Sequence, residues 1–433
     1  MAKLVRRHTS NVEILSSNLS GGTRCIFLIF LTRGSKIIPL SDMSLSVYNR
    51  RTSRSHTIEI SPHNTIRIGR VQAPEICATE CVVDDPQVSS THCFIWSVCF
   101  DESTPPLTYI QDISLNGTLI NGRKLRKGFT ILSDRDLIEI GDHLSLRYTG
   151  ESFKEEVVLE EHGWKVISQV IGKGTFGQVL NCATASKENQ ILTQIEHPNI
   201  VRVHECLETN GSLRIYEDLA TGGDLFSYMA QGNDVLRPVS ESQALLIVYQ
   251  VLKALEYLHS RGIVHRDLKL DNILIKRAPV RYPYVVLADF GAARRLDAQR
   301  TKRSAKRMFT MVGTPEYAAP EINLMQPRST RGYTNKVDIW SLGVITYILL
   351  TGVSPFYSPC IDKTIVKVRQ GDLLLKIEEW SKISIEAKQF VKGCLRAKVL
   401  QRLDVSGCLE TDWINKRSHL SWLEKCYRAI LGQ

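Results

Sequence analysis

The eight residues HRDLKLDN, His265 to Asn272, constrain this 433-residue chain more than any other segment. They set a carboxylate at Asp267, an ammonium two residues on at Lys269, and a side-chain amide five residues on at Asn272. A phosphoryl group moves through a loose transition state, so a protein that transfers one mainly positions groups and neutralises charge. In that chemistry Asp267 orients an attacking hydroxyl, Lys269 reaches the moving group and Asn272 offers an amide oxygen to magnesium. Twenty-two residues beyond Asp267, Asp289 opens the triplet DFG, where its carboxylate would hold magnesium bridging nucleotide phosphates. HRD alone fits an exposed loop, and DFG alone fits a turn. The ordered set, closed by GTPEYAAPE with Ala319, Pro320 and Glu321 as anchor, leaves coincidence negligible.

Upstream, Ile171 to Val179 reads IGKGTFGQV. A GxGxxG string is weak by itself, since glycines mark many simple turns. Placed before HRD, it lets the backbone amides of Gly172, Gly174 and Gly177 close over phosphates. Downstream, VDIWSLGVITYILLTGVSPF (337–356) reads as a buried helix whose Asp338 braces the HRD loop, and Arg402 is placed to pair with Glu321. A structural ion pair is the better reading of both.

Over residues 164–415 the sequence resembles the eukaryotic protein kinases, and Lys269 with GTPEYAAPE resembles their serine/threonine branch. LRIYEDLATGGDLFSYM (213–229) resembles the hinge of the calcium/calmodulin-kinase group. The resemblance implies a bilobal α+β fold, with ATP and Mg2+ as cofactors and protein Ser/Thr as substrate. It implies Asp267, Lys269, Asn272 and Asp289 as catalytic residues, the last two holding Mg2+. Ile171, Gly172, Gly174, Gly177, Val179, Glu188, Asp218 and Asp224 are its implied ATP-binding positions, with Glu217 as gatekeeper and Asp224 facing the ribose. Asp224 and Asp271 are implied to favour an arginine three residues before the acceptor, and two carboxylates beside a peptide groove would attract a guanidinium; for Asp271 a solvated surface role stays open. Thr310 is implied as the activating phosphosite, pairing with Arg266 and neighbouring basic residues once charged. Thr314 is expected to bond Asp267 and Lys269.

Before this region, short alternating runs such as HTIEI (56–60), NTIRIG (64–69), HCFIW (92–96), LTYIQD (107–112) and LIEIG (137–141) indicate an all-β sandwich. Three motifs fall in order along it: Gly69-Arg70, Ser89-Ser90-Thr91-His92, and Asn116-Gly117 with a second pair at Asn121-Gly122. Each is feeble alone, because NG marks any hairpin. Together they resemble the FHA domain, which implies that Arg70 and Ser89 bind the phosphate of a phosphothreonine. Asn116 would hold the peptide backbone, while His92 and Gly69 brace the loops. Arginine and hydroxyl donors suit phosphate recognition. Ser90 replaces the basic or amide residue common at that position, so its contact with the phosphopeptide stays open.

The expected organisation is therefore multidomain: an FHA sandwich at 22–148, an acidic linker at 149–163, a kinase domain at 164–415 and a C-terminal helical tail at 416–433. An FHA domain joined to this kinase type resembles the checkpoint effector kinases, and among them most the fungal meiosis-specific serine/threonine kinase. That resemblance implies a nuclear protein acting in the meiotic recombination and DNA-damage checkpoint, recruited by a phosphothreonine-bearing partner and activated by self-association.

Composition sets outer limits. A net charge of +10 permits acidic partners but does not demonstrate them. No recognised nucleic-acid module appears, so no direct nucleic-acid binding is expected. The eleven cysteines form no CxxC pair, which favours reduced, mostly buried thiols over zinc or a disulfide framework. The apolar run Cys25–Leu31 is too short to span a bilayer and reads as a buried strand, so no membrane partner is expected.

One kinase part is absent from the pattern. The lysine that grips the α/β-phosphates belongs on the third strand of the N-lobe, paired with a glutamate of the next helix. Glu188 can be that glutamate, but only eleven steps separate it from Gly177. Two strands, their turns and a helix start need roughly 20 residues at ~5 per strand. Lys187 adjoins Glu188 and cannot be its partner, and Lys173 in the Gly-rich loop is the only other donor. A skipped exon or faulty gene model is one explanation, favoured because a whole strand rather than a point residue has gone. The other is a catalytically impaired pseudokinase scaffold that keeps its FHA phosphopeptide reader.

Overall fold

The computed structural model describes residues 43–432 except 62–63, 75, 78, 99–105, 126–128, 151–156, 162–163, 175–176, 185–194, 210–211, 231–235, 279, 296–315, 324–333, 359 and 376. The run Cys25–Leu31, Glu188, Thr310 and Thr314 lie outside the described residues.

The alternating N-terminal runs become strands Ser44–Asn49 (β1), Arg54–Glu59 (β2), Thr65–Gly69 (β3), Thr79–Val82 (β4), Cys93–Val98 (β5), Leu107–Asp112 (β6), Thr118–Ile120 (β7), Arg123–Leu125 (β8), Phe129–Ile131 (β9), Leu137–Ile140 (β10) and Leu144–Thr149 (β11). They form two sheets, β2-β1-β11-β10-β7-β8 and β4-β3-β5-β6-β9. Asn121-Gly122 makes the β7–β8 hairpin with φ of 50° and 77°, the two positive values that a two-residue type I′ turn demands. Leu45, Val47, Ile66, Ile68, Ile95, Ile110, Ile138, Ile140 and Leu146 fill the space between the sheets. Each such side chain contributes about 1.5–3 kcal/mol when fully buried.

Next come Val157–Glu161 (β12), Trp164–Gly174 (β13) and Gly177–Thr184 (β14), an antiparallel sheet in the order β12-β13-β14. The acidic stretch expected as an exposed joint thus contributes a strand. It covers one edge of β13, whose amides and carbonyls otherwise lack partners. Val203–Thr209 (β15) and Ser212–Glu217 (β16) form a separate hairpin. Residues 185–194, where the third strand of the N-lobe would fall, lie outside the described residues.

The C-lobe is helical. Leu225–Met229 (α1) is followed by Glu241–Ser260 (α2), which opens on a capping box: Ser240 accepts from the Gln243 amide, and the Gln243 side chain accepts from Ser240. Short strands Ile263–Val264 (β17), Ile273–Ile275 (β18), Val285–Leu287 (β19) and Arg294–Arg295 (β20) pair as β17–β20 and β18–β19. Pro320–Asn323 (α3) precedes Lys336–Thr351 (α4), largely apolar and buried from Val337 to Thr351, as a central helix must be. Gly352 ends α4 at φ 74°, and a Cβ there would lie 2.5 Å from the Leu236 carbonyl oxygen. Around it stand Ile361–Gln370 (α5), Glu378–Lys382 (α6), Ile385–Cys394 (α7), Val405–Leu409 (α8), Asp412–Asn415 (α9) and Arg417–Leu431 (α10). Within the segment expected as a tail, α10 packs on the lobe: the Tyr427 hydroxyl donates to Asn199 Oδ1 at 2.6 Å, and Trp422 meets Tyr282 edge to face.

Among the described residues no helix is long and apolar enough to cross a membrane. Cys77, Cys81, Cys93, Cys394 and Cys408 are free and buried, while Cys360 is free and exposed.

Candidate functional site

The HRD segment is the loop between β17 and β18, and its shape is imposed from below. Asp338 at the start of α4 is fully buried, and its carboxylate accepts the backbone N–H of His265 at 3.0 Å and of Arg266 at 2.8 Å. His259 Nε2 lies 2.8 Å from the same carboxylate. Arg266 is thereby held at φ 69°, a region that costs a non-glycine residue about 1–3 kcal/mol and persists only where surroundings over-determine it. His265 reaches the carbonyl of Ala288 at 3.0 Å, and its ring lies 4.9 Å from that of Phe290. The loop and the DFG triplet are thus packed as one body.

Asp267, Lys269 and Asn272 come together as expected. Lys269 Nζ is 3.3 Å from Asp267 Oδ2. Asn272 Nδ2 donates to the Asp267 carbonyl at 2.8 Å and to its carboxylate at 3.2 Å. Because Nδ2 faces Asp267, Oδ1 of the same amide is turned away from it. Beside it, Ala288 N–H donates to the Asn272 carbonyl at 3.0 Å, continuing the β18–β19 ladder. Asp289 follows immediately, exposed and at φ 57°. An amide oxygen and a carboxylate on adjacent strand ends are hard oxygen donors of the kind Mg2+ takes, alongside the phosphates of a nucleotide. The residues present fit that ion.

The hinge leaves β16 at Glu217. Its carboxyl is pushed up to about 7, first by loss of water around it and then by the charges of Asp289 and Asp218. Glu217 and Asp289 are therefore near enough for their charges to act on one another. Asp218 turns its carboxylate to His204 (2.7 Å) and Lys276 (3.5 Å). Asp224 caps α1, accepting from Ser227 N at 2.6 Å and from its hydroxyl at 3.1 Å. Asp271 is exposed.

Ile171, Gly172 and Gly174 lie at the end of β13, and Gly177 and Val179 at the start of β14. The register pairs Gly174 with Gly177, so the two strands that flank the glycine-rich segment run antiparallel. The ion pair expected between Arg402 and Glu321 is bidentate, at 2.7 and 2.9 Å, with the guanidinium 4.9 Å above the Trp340 ring.

In the sandwich, the expected residues gather at one end. Arg70 is exposed, and its N–H donates to the Ser89 carbonyl at 3.0 Å. Buried His92 accepts from Ser89 N–H at 3.1 Å through Nδ1, and burial holds its pKa below the usual value. Ser89 Oγ accepts from Leu115 N–H at 3.1 Å, and Asn116 Nδ2 donates to the Gln87 carbonyl at 2.8 Å. Ser90 is exposed, and its carbonyl oxygen lies 2.2 Å from where a Cβ on Gly69 would stand, so glycine is required there.

Sequence reasoning missed Arg67. It is 1% exposed, and its guanidinium bonds Glu80 and Thr91 Oγ1, both at 2.9 Å, and the Ser90 carbonyl. It therefore holds the Ser89–His92 loop from beneath. The available signal was an arginine in the middle of the apolar strand TIRIG.

The family described as protein kinase domain matches residues 183–414, just over half of the chain, and the FHA domain family matches residues 66–141. The meiosis-specific serine/threonine-protein kinase MEK1 of Saccharomyces cerevisiae is 39% identical over 86% of this chain and 84% of its own length. The meiosis-specific serine/threonine-protein kinase mek1 of Schizosaccharomyces pombe is 34% identical over 79% of this chain and 80% of its own. A probable serine/threonine-protein kinase, fhkC of Dictyostelium discoideum, is 32% identical over 82% of this chain and 62% of its own.

Proposed function

This chain belongs to the serine/threonine protein kinases that carry an FHA domain, and we propose that it phosphorylates proteins brought to it by the phosphothreonine they bear. The observation that carries this reading is the convergence on Asn272, which bonds Asp267 on one side and the strand leading to Asp289 on the other.

Asp267 orients the substrate hydroxyl and receives its proton. Lys269, paired with Asp267, steadies that carboxylate and faces the charge that develops on the transferring group. Asn272 and Asp289 would hold a magnesium ion, which would supply charge neutralisation at the transferring group. Hinge backbone after Glu217 borders the adenine, and Asp224 keeps one face toward the ribose while capping α1. Asp271 and Asp224 select an arginine upstream of the acceptor. Thr310, charged by phosphorylation, docks against Arg266 and orders the activation segment, with Thr314 closing onto Asp267 and Lys269. At the sandwich, Arg70 and Ser89 take the phosphate, Ser90 lies beside them at the phosphopeptide site, and Asn116 holds the peptide backbone.

The names of the first two relatives support a place in meiosis, and we put the protein in the nucleus, in the recombination and DNA-damage checkpoint, with self-association as its route to activation. The pseudokinase alternative gains no support, since these relatives are named as kinases.

The test is transfer of labelled γ-phosphate to an arginine-containing serine/threonine peptide. Asp267→Asn should abolish transfer and leave phosphothreonine-peptide binding intact. Undiminished transfer in that variant would overturn the assignment.

A further inference from the structure

An antiparallel sandwich usually buries one face of each strand and leaves the other to solvent. β5 does not, for every residue from Cys93 to Val98 is buried. Cys93 and Ile95 belong to the sandwich core, whereas Phe94, Trp96 and Val98 belong to a second cluster on the outer face. The covering comes from the kinase domain: Leu219, Ala278 and Val280 pack into that cluster. Trp96 is fully buried at its centre, stacked on Tyr109 at 5.6 Å, and its Nε1–H donates to the Thr221 carbonyl at 2.8 Å. At the margin, Arg281 N–H donates to the Ile76 carbonyl at 3.0 Å.

The kinase residues touched are the hinge and the loop behind it. Leu219–Gly223 runs on directly from Glu217 and Asp218, the residues read as the hinge. Gly222 N–H donates to the Ile275 carbonyl, and Ile275 N–H to the Gly223 carbonyl, both at 2.8 Å. A Cβ on Gly222 would stand 2.2 Å from the Arg277 carbonyl oxygen, and one on Gly223 would stand 3.1 Å from Val98 Cγ1. The hinge is therefore clamped between β18 and the outer sheet of the sandwich.

We propose that the FHA sheet is the outer wall of the kinase hinge, with Trp96 as the positioning residue that couples the reader domain to the nucleotide cleft. A buried tryptophan whose N–H is satisfied, ringed by apolar contacts, has the character of an interface hot spot. The bond it makes ends on hinge backbone, so release of the sheet frees Leu219–Gly223 on one side. Coupling is reciprocal: a nucleotide that favours the clamped hinge also favours docking of the FHA domain, by the same factor. The coupling rests on the reading of this cleft as a nucleotide site; the docking itself does not.

The test uses the full chain, with Trp96→Ala on the sandwich side and Ala278→Arg on the kinase side. Hydrogen exchange of the amides at 219–223, measured without nucleotide, reads the wall. The dissociation constant of a fluorescent ATP analogue with Mg2+ reads the coupling. Both variants should exchange faster at 219–223 and bind the analogue about five- to tenfold more weakly, within the ordinary range of coupling between sites. Phosphothreonine-peptide binding should persist, which shows that the sandwich is folded; where Trp96→Ala loses it, Ala278→Arg decides. Unchanged exchange in Ala278→Arg overturns the wall, and faster exchange with unchanged affinity overturns the coupling. A wild-type chain that binds no analogue overturns the nucleotide reading and with it the coupling, while the exchange measurement still decides the docking.

Discussion

The N–H of Arg266 ends on the buried carboxylate of Asp338, 2.8 Å away, although the two residues are 72 positions apart in the chain. The same carboxylate accepts from His265 and faces His259, so one side chain fixes the backbone on which Asp267 rides. Hydrogen bonds to a charged group contribute about 1.5–3 kcal/mol each, and more is lost when donors are left buried without an acceptor. Asp338→Ala should therefore lower stability by about 3–5 kcal/mol in denaturant titration. Asp338→Asn should fold better and still lower kcat more than it alters KM, because the loop that carries the aspartate relaxes. A kcat equal to wild type in Asp338→Asn would remove the positioning role.

Glu217 predicts a pH dependence. Its carboxyl is pushed up to about 7 from an ordinary 4.5 by lost hydration and by the charges of Asp289 and Asp218. The folded state thus holds an extra proton between these values. The stabilising contribution is full below pH 4.5 and is lost as pH rises through about 7. Neighbouring groups crowd the carboxyl, yet part of the side chain stays open to solvent, so the effect is screened and small. Thermal melts of wild type and Glu217→Gln should diverge as pH rises over that window, with wild type becoming the less stable. Parallel curves would show that the group titrates normally.

Arg67 and Arg70 should fail differently. Arg70 is exposed at the expected phosphate site, so Arg70→Ala should abolish phosphothreonine-peptide binding with little change in melting temperature. Arg67→Ala leaves Glu80 largely buried without its partner, a change that costs about 3–5 kcal/mol. It should destabilise the sandwich and weaken the same peptide as the Ser89–His92 loop loses its support. Calorimetry combined with peptide titration separates the two outcomes.

The gap between β14 and β15 predicts weak nucleotide binding. Only eleven steps separate Gly177 from Glu188 and no Val-Ala-x-Lys string lies between them, so the chain should show a high KM for ATP. Insertion of a Val-Ala-x-Lys strand between Thr184 and Lys187 should lower that KM by about tenfold or more, the scale of a charge-assisted contact of ~1.5–3 kcal/mol. Sequencing the transcript across codons 175–190 should find the missing segment. A transcript without it, together with an unaltered KM after insertion, would mean that this chain holds ATP by other means.

Much of the chemistry was legible from the residues in order. HRDLKLDN, DFG and GTPEYAAPE carry their roles in local spacing, because a loop of eight residues can present a carboxylate, an ammonium and an amide only in a few ways. The apolar string around Trp340 and the capping residues Ser240 and Gln243 likewise announce their helices, since period and caps are local properties. The pairing of Arg402 with Glu321 also followed from the motifs that surround them.

Tertiary structure alone decided the rest. Phe94, Trp96 and Val98 look like the solvent face of an ordinary strand, and nothing in their spacing says that a hinge more than a hundred residues later will cover them. Arg67 looks like a surface charge until Glu80 and the Ser90 carbonyl close around it. Hydrophobic periodicity records which side of an element is apolar, but not what comes to lie against it. That is settled only when distant segments compete for the same buried surface and the best-packed arrangement prevails.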